Sequence, residues 1–182
     1  MNTSGSQNIP PYPEHLITQH KLSDGTLIII RPVREDDAEI IKEFSRHLSS
    51  ELKHLNYMEN FKELPQKMVT RLTQVDYKKS MTIIATHLEN KKENVIGMVH
   101  YITDDGEACE FDMIVTDAWQ NKGIGRVLTD ALIKSAKDNK LKSARIVILA
   151  SNHGGMLLAK HFGFVVENSD DPTVRVVTKN LY

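Results

Sequence analysis

Gln120 to Arg126 reads Q-N-K-G-I-G-R, and it joins a strand-like run, Glu107 to Val115, to the strongest helix pattern in the chain. After Gly123 the residues Leu128, Ala131, Leu132, Ser135 and Ala136 recur on one face of a 3.6-residue period. A strand that passes through glycines into a long amphipathic helix must lay that helix on a sheet. The two glycines let the backbone turn so that successive N–H groups aim at one spot. The helix start adds its own free N–H groups and the positive end of its dipole. Lys122 and Arg126 can add charge. Two readings stand: a cradle for an anion, most naturally a pyrophosphate, or a glycine turn with no ligand. The segment is not a P-loop, which needs G-x-x-x-x-G-K-[ST], and the third glycine of a dinucleotide fingerprint is replaced by Leu128.

Around this junction the elements fall in a readable order. Ser23-Asp24-Gly25 is a turn, and Thr26 to Arg31 a strand that Pro32 ends. Asp36 or Asp37 caps a helix to about Leu48, with Ile41, Phe44 and Leu48 as its stripe. Further helical stretches surround Leu52, Leu55 and Met58, and run from near Pro65 through Met68, Leu72 and Val75. Met81 to Leu88, Val95 to Thr103 and Glu107 to Val115 form an antiparallel meander, turning at Asn90–Glu93 and Asp104–Gly106. Val95 to Ile102 is apolar on both faces, as a central strand covered by helices on both sides must be. Ala144 to Leu149 is a buried strand, Met156 to His161 a short helix, and strands follow near Phe164 and Val174 to Thr178. The fold class is α/β (α+β layered). Residues 1–20, carrying Pro10, Pro11 and Pro13, are expected to be a flexible arm, with packing through Ile9, Tyr12 and Leu16 as the alternative. Residues 21–182 are expected to be a single domain.

Composition excludes several classes. The chain has 182 residues, with 23 Lys+Arg against 24 Asp+Glu. That balance argues against a general nucleic-acid binder. One cysteine, Cys109, allows neither an internal disulfide nor a cysteine-built zinc site, and suits a reducing cytoplasm. The eight histidines are scattered without H-E-x-x-H, so no metal is expected. The start has no secretory pattern, and no apolar run approaches the ~20 residues of a membrane helix.

Strand alternation separates Glu107–Val115 into two faces. Cys109, Phe111, Met113 and Val115 share an apolar face; Ala108, Glu110, Asp112 and Ile114 share the other. Two carboxylates on one face of a central strand imply an opening to a cleft, a solvated face or a salt bridge. Asn152, after the next buried strand, begins a second strand-to-helix crossing. The two crossings can form the walls of one cleft at the strands' carboxyl ends.

The segments E-F-D-M-I-V-T-D-A-W-Q-N-K-G-I-G-R from Glu110 and N-H-G-G-M-L-L-A-K-H-F-G-F from Asn152 resemble the GNAT superfamily of acyl-CoA-dependent N-acyltransferases. L-S-D-G-T-L-I-I-I-R-P-V-R-E-D-D and R-L-T-Q-V-D-Y, ending at Tyr77, look like the GNAT domain of bacterial Pat-type protein-lysine acetyltransferases. The resemblance implies a mixed, mostly antiparallel central sheet with helices on both faces. It implies acetyl-CoA as cosubstrate, its pyrophosphate held by Gln120, Asn121, Lys122, Gly123, Ile124, Gly125 and Arg126. It implies that the backbone of Met113, Ile114 and Val115, on a splayed and bulged strand, pairs with the pantetheine arm, that Asn152 contacts the cofactor, and that Glu110 is the general base. The acceptor it implies is a protein lysine, such as one on an acyl-CoA synthetase. A small-molecule amine acetyltransferase and a non-catalytic acyl-CoA sensor are the alternatives. A chain of 182 residues is expected to lack the sensing or ligase-like partner that Pat-type proteins often carry. Ala159 stands where many GNAT members carry a tyrosine, and a thiol of pKa ~8.5 can leave without strong acid help.

Overall fold

The computed structural model describes residues 10–57, 61–167 and 169–182. The chain runs β1 (Thr18–Lys21), β2 (Leu27–Pro32), α1 (Ala38–Arg46), α2 (Ser50–Tyr57), α3 (Gln66–Thr73), β3 (Ser80–Glu89), β4 (Lys92–Ile102), β5 (Ala108–Val115), α4 (Ile124–Asp138), β6 (Ser143–Leu149), α5 (His153–His161), β7 (Val165–Glu167) and β8 (Val174–Asn180). All eight strands form one sheet, ordered β1-β2-β3-β4-β5-β6-β8-β7. Neighbours are antiparallel except β5 and β6, which run parallel. The layered α/β class and the central place of β4 are as expected from its two apolar faces.

Each face carries its own core. Ile41, Phe44, Leu52, Val69 and Leu72 from α1–α3 close over Ile84, Met98 and Ile114. On the opposite face Ile124, Leu128, Leu132 and Ala136 of α4 pack with Ile28, Ile83, Val99, Phe111 and Ala159 of α5. Gly97 lets α4 approach: a Cβ there would lie 3.1 Å from Leu128 Cδ1 and 3.3 Å from the Ile114 carbonyl oxygen. The β3–β4 turn needs Asn90 and Lys91 both at positive φ, 51° and 64°, the pair of left-handed residues that suits a two-residue hairpin.

The flexible-arm expectation gives way from residue 12 onward. Thr18–Lys21 pairs with Leu27–Ile30, Leu16 is buried, and the Tyr12 hydroxyl donates to the Pro32 carbonyl at 2.8 Å. The three prolines forbid a helix, but they leave an extended edge strand free to form. Ile9 and Met58 lie outside the described residues.

Candidate active site

The site grows from a fork in the sheet. β5 and β6 pair at Ala108↔Ser143, Cys109↔Ala144 and Glu110↔Arg145, and then separate. Beyond that rung a cleft opens, with about 590 Å³ of empty space including its mouth. Phe111, Asp112 and Met113 of β5 line one side, Ile146, Val147 and Ile148 of β6 the other. Its floor comes from Thr129 of α4 and Gly155, Leu158 and Ala159 of α5, with Leu55 of α2 reaching in from the opposite face. Because β5 and β6 are parallel and the next helix after each is α4 and α5 respectively, the two helices start at the same end of the fork.

Backbone alternation decides what β5 offers the cleft. Thr116 N–H donates to the Ile96 carbonyl at 3.0 Å. The unbroken register from Gly97↔Val115 to Ile102↔Glu110 therefore turns Ile114, Asp112 and Glu110 toward β4. Met113 and Val115 turn their N–H and C=O groups the other way, into the fork. Ile114 is thus a correction among the three expected pantetheine partners: its backbone belongs to the β4 ladder and its side chain is buried against α1–α3. The expected bulge in β5 is also absent from its pairing with β4. The register shift lies one strand over, between Ala85 and Thr86 of β3.

The glycine segment forms the turn that the sequence implies. Asn121 and Gly123 take positive φ of 60° and 88°, and Gly123 precedes the first residue of α4. The first turn of α4 leaves the N–H groups of Ile124 and Gly125 without intrahelical acceptors. Gly125 is small for a packing reason, since a Cβ would sit 3.3 Å from Leu158 Cδ2. Gln120 Nε2 donates to the Val115 carbonyl at 3.2 Å, tying the turn to the fork. Lys122 Nζ lies 5.0 Å from the Trp119 ring centre and 3.5 Å from Asp24, in the β1–β2 turn. Arg126 is exposed, with no ion-pair partner among the described residues. At the second crossing Asn152 caps α5, its Oδ1 accepting from Gly155 N–H at 2.9 Å, and it lines the cleft.

The charged residues lie on the α1–α3 face of the fork. Glu110 is exposed and accepts from Arg145 Nη1 at 2.6 Å, across the last rung before the strands part. Asp112 lines the cleft. By surface area Asp112 is exposed, yet the cleft walls crowd its carboxyl closely enough to raise its pKa to about 6; Arg71 opposes that rise and Glu110 adds to it. Cys109 is buried, and burial pushes its thiol up to about 11, which suits packing rather than nucleophilic attack. Tyr77 stands apart from the cleft: its hydroxyl donates to Val33, and its carbonyl accepts from Asn139. No metal-holding group of His, Cys, Asp or Glu occurs among the described residues.

Arg145, Thr129 and Leu158 escaped sequence reasoning, and Leu55 was read only as part of a helical stretch, not as a cleft residue. An arginine inside a buried strand was a visible oddity, but its partner follows only from the parallel register of β5 and β6.

Residues 49–164 match the acetyltransferase (GNAT) family. The chain belongs to that family. It is 29% identical over 158 residues to the acetyltransferase PA5475 of Pseudomonas aeruginosa, covering 86% of this chain and 84% of that one. Its fold is similar to the GNAT domain of S. lividans PAT, with a TM-score of 0.85 over 93% of this chain and 99% of that one at 23% identity. It is also similar to yncA of Salmonella typhimurium, solved with its cofactor acetyl-CoA, at a TM-score of 0.67 and 19% identity over 85% of this chain and 94% of that one. A cAMP-binding acyltransferase from Mycobacterium smegmatis aligns at a TM-score of 0.63 and 21% identity, over 92% of this chain but 48% of that one. In this GNAT chain the cleft at the fork joins both helix layers to the parallel strand pair.

Proposed function

We propose that this chain transfers the acetyl group of acetyl-CoA directly to a primary amine, a protein lysine, with Glu110 as general base. The carrying observation is the fork: two strands part so that a free backbone edge and two helix starts meet at one end. An extended amide-bearing arm is the ligand such an edge suits, because Met113 and Val115 can extend the ladder to it. A diphosphate suits the turn at Asn121–Gly125, where N–H groups and the α4 dipole point outward and Arg126 is free to add charge. Asn152 has its oxygen engaged by the α5 cap and its amide N–H groups left for the arm. The donor supplies an acyl group on a thiol that leaves readily, and the chain supplies the rest.

The chemistry needed of the protein follows from the amine. At pH 7 only about one lysine in 10³ to 10⁴ is neutral. A carboxylate at the fork takes the ammonium proton, directly or through a water. The nitrogen lone pair then forms the C–N bond, the second surplus proton on nitrogen passes to water, and the C–S bond breaks with its electron pair leaving on sulfur. A fixed N–H such as that of Met113 stabilises the carbonyl oxygen as it gains charge. Ala159 offers no hydroxyl to the leaving thiolate, so water protonates it. Glu110 must exchange Arg145 for the amine during this step. No covalent enzyme intermediate is needed.

Two measurements test this reading. Calorimetry with acetyl-CoA should give binding that Glu110→Gln preserves. Labelled acetyl-CoA incubated with a cell extract should label protein lysines, and Glu110→Gln should lower that rate by about 10²–10⁴-fold. Absence of acetyl-CoA binding would remove the whole reading. Label appearing only in small amines would move the acceptor to the metabolite class.

A further inference from the structure

The face of the sheet that carries Glu110 also carries a polar row. Thr82, His100 and Asp112 are register partners across β3, β4 and β5, so their side chains stand side by side beneath α3. The row ends at the cleft, because Asp112 lines it and β6 has already parted from β5. His100 is buried at 3% exposure. Its Nδ1 is bonded to Thr82 Oγ1 at 2.8 Å, and its Nε2 has no hydrogen-bond partner among the described residues. Asp112 likewise has no hydrogen bond or ion pair among them. Glu110, two residues away, is already occupied by Arg145. The carboxylate that meets an incoming group with open valences is therefore Asp112.

The surroundings of Asp112 describe that group. Leu55 of α2 and Val147 of β6 line the same cleft and provide apolar walls on the approach. The charged and titratable neighbours are Arg71 of α3, Glu110 beside it on β5 and His100 across the ladder. Arg145 of β6 is engaged by Glu110, and burial holds His100 neutral by lowering its pKa to about 4. An aliphatic stem ending in a cation fits: methylenes against Leu55 and Val147, charge against Asp112.

We propose that Asp112 is the acceptor anchor of this enzyme, a carboxylate that binds the ammonium of a lysine-like side chain before Glu110 takes its proton. This rests on the acetyl-transfer reading of the same cleft. It divides two jobs between the two acids: Asp112 sets acceptor affinity and Glu110 sets turnover.

The test uses the full chain saturated with acetyl-CoA and two probes, Nα-acetyl-lysine amide and Nα-acetyl-norleucine amide, which share a straight apolar side chain and differ in the terminal amine. Wild type should bind the lysine amide at least about tenfold more tightly than the norleucine amide, the scale of one charge-assisted contact. Asp112→Asn should erase that preference and raise KM for the lysine amide similarly, with kcat kept within about threefold. Glu110→Gln should keep the preference and lose kcat. Equal binding of the two amides by wild type, or a preference that survives Asp112→Asn, overturns the anchor. A fall in kcat with unchanged KM in Asp112→Asn overturns it too, by making Asp112 the base. Acetyl-CoA binding measured on each variant keeps these outcomes apart from failure of the acetyl-transfer reading, which would remove donor binding itself.

Discussion

His100 carries a penalty that pH exposes. Desolvation lowers its pKa to about 4, from an ordinary 6.5. The folded chain therefore holds it neutral in a range where the unfolded chain takes up a proton. Stability falls as pH drops through that range, from about 6.5 down to about 4, by about 3 kcal/mol in full. Asp112 acts with the opposite sign: its raised pKa makes the folded chain bind a proton more readily below about 6. The two effects overlap, so the histidine is best read in an Asp112→Asn background. There, His100→Gln should flatten the acid limb of urea-derived stability between pH 7 and 4.5. An unchanged slope would mean that His100 is not held neutral. Residues of this kind were half legible. The parity of β5 put Glu110 and Asp112 on one face from the sequence alone. That Arg145 would occupy one of them, and that His100 would stand opposite the other, depends on which strands become neighbours. Residue spacing does not encode that choice.

Elements were most legible where one physical signal acted alone. The α4 pattern fixed both its buried face and its glycine start, because a 15-residue amphipathic helix has a single way to lie on a sheet. The start of α5 was placed too late, at Met156 instead of His153. Gly154 and Gly155 lower intrinsic helix propensity, but the Asn152 cap bond to Gly155 outweighs that loss. β1 was missed because a proline-rich approach looks like a tail until Leu16 and Tyr12 find the sheet. The role of Gly97 could not be read either, since its demand comes from α4, a distant stretch of chain. Replacing it makes that demand measurable. Gly97→Val would press on Leu128, Ile124 and the Ile114 carbonyl and lift the start of α4. The expected loss is about 1–3 kcal/mol of unfolding free energy, the usual scale of overpacking. Acetyl-CoA affinity should fall as well, because the α4 start moves against the fork. Destabilisation with intact acetyl-CoA affinity would show that the anion cradle does not depend on how closely α4 sits.

Under the proposed acetyl-transfer reading the sheet divides the work across the whole molecule: the α4–α5 layer would face the donor, and the α1–α3 layer, through Leu55, would border the acceptor. The second layer is fastened at a point separated from the fork by β3 and β4. Arg31, at 3% exposure, donates to both carboxyl oxygens of Asp37 at 2.7 and 2.9 Å and to both of Glu93 at 3.0 and 3.1 Å. This joins β2, the approach to α1 and β4 in one buried cluster, with Asp37 also accepting from Arg34 N–H at 2.6 Å. Asp37 is itself buried, whereas Glu93 reaches solvent and can rehydrate. Arg31→Met therefore leaves one buried carboxylate without a countercharge, at an expected loss of about 3–5 kcal/mol in urea unfolding. Adding Asp37→Asn should cost much less than that substitution does alone, because the charge it removes is no longer paired. Additive losses would mean that the two side chains do not act as a pair. The division of labour gives the same variant a functional signature. Below its lowered melting point, Arg31→Met should bind acetyl-CoA within about twofold of wild type, since α4 and α5 rest on the other face. On the proposed reading its KM for a lysine acceptor should rise, because Leu55 lines the cleft from the loosened layer.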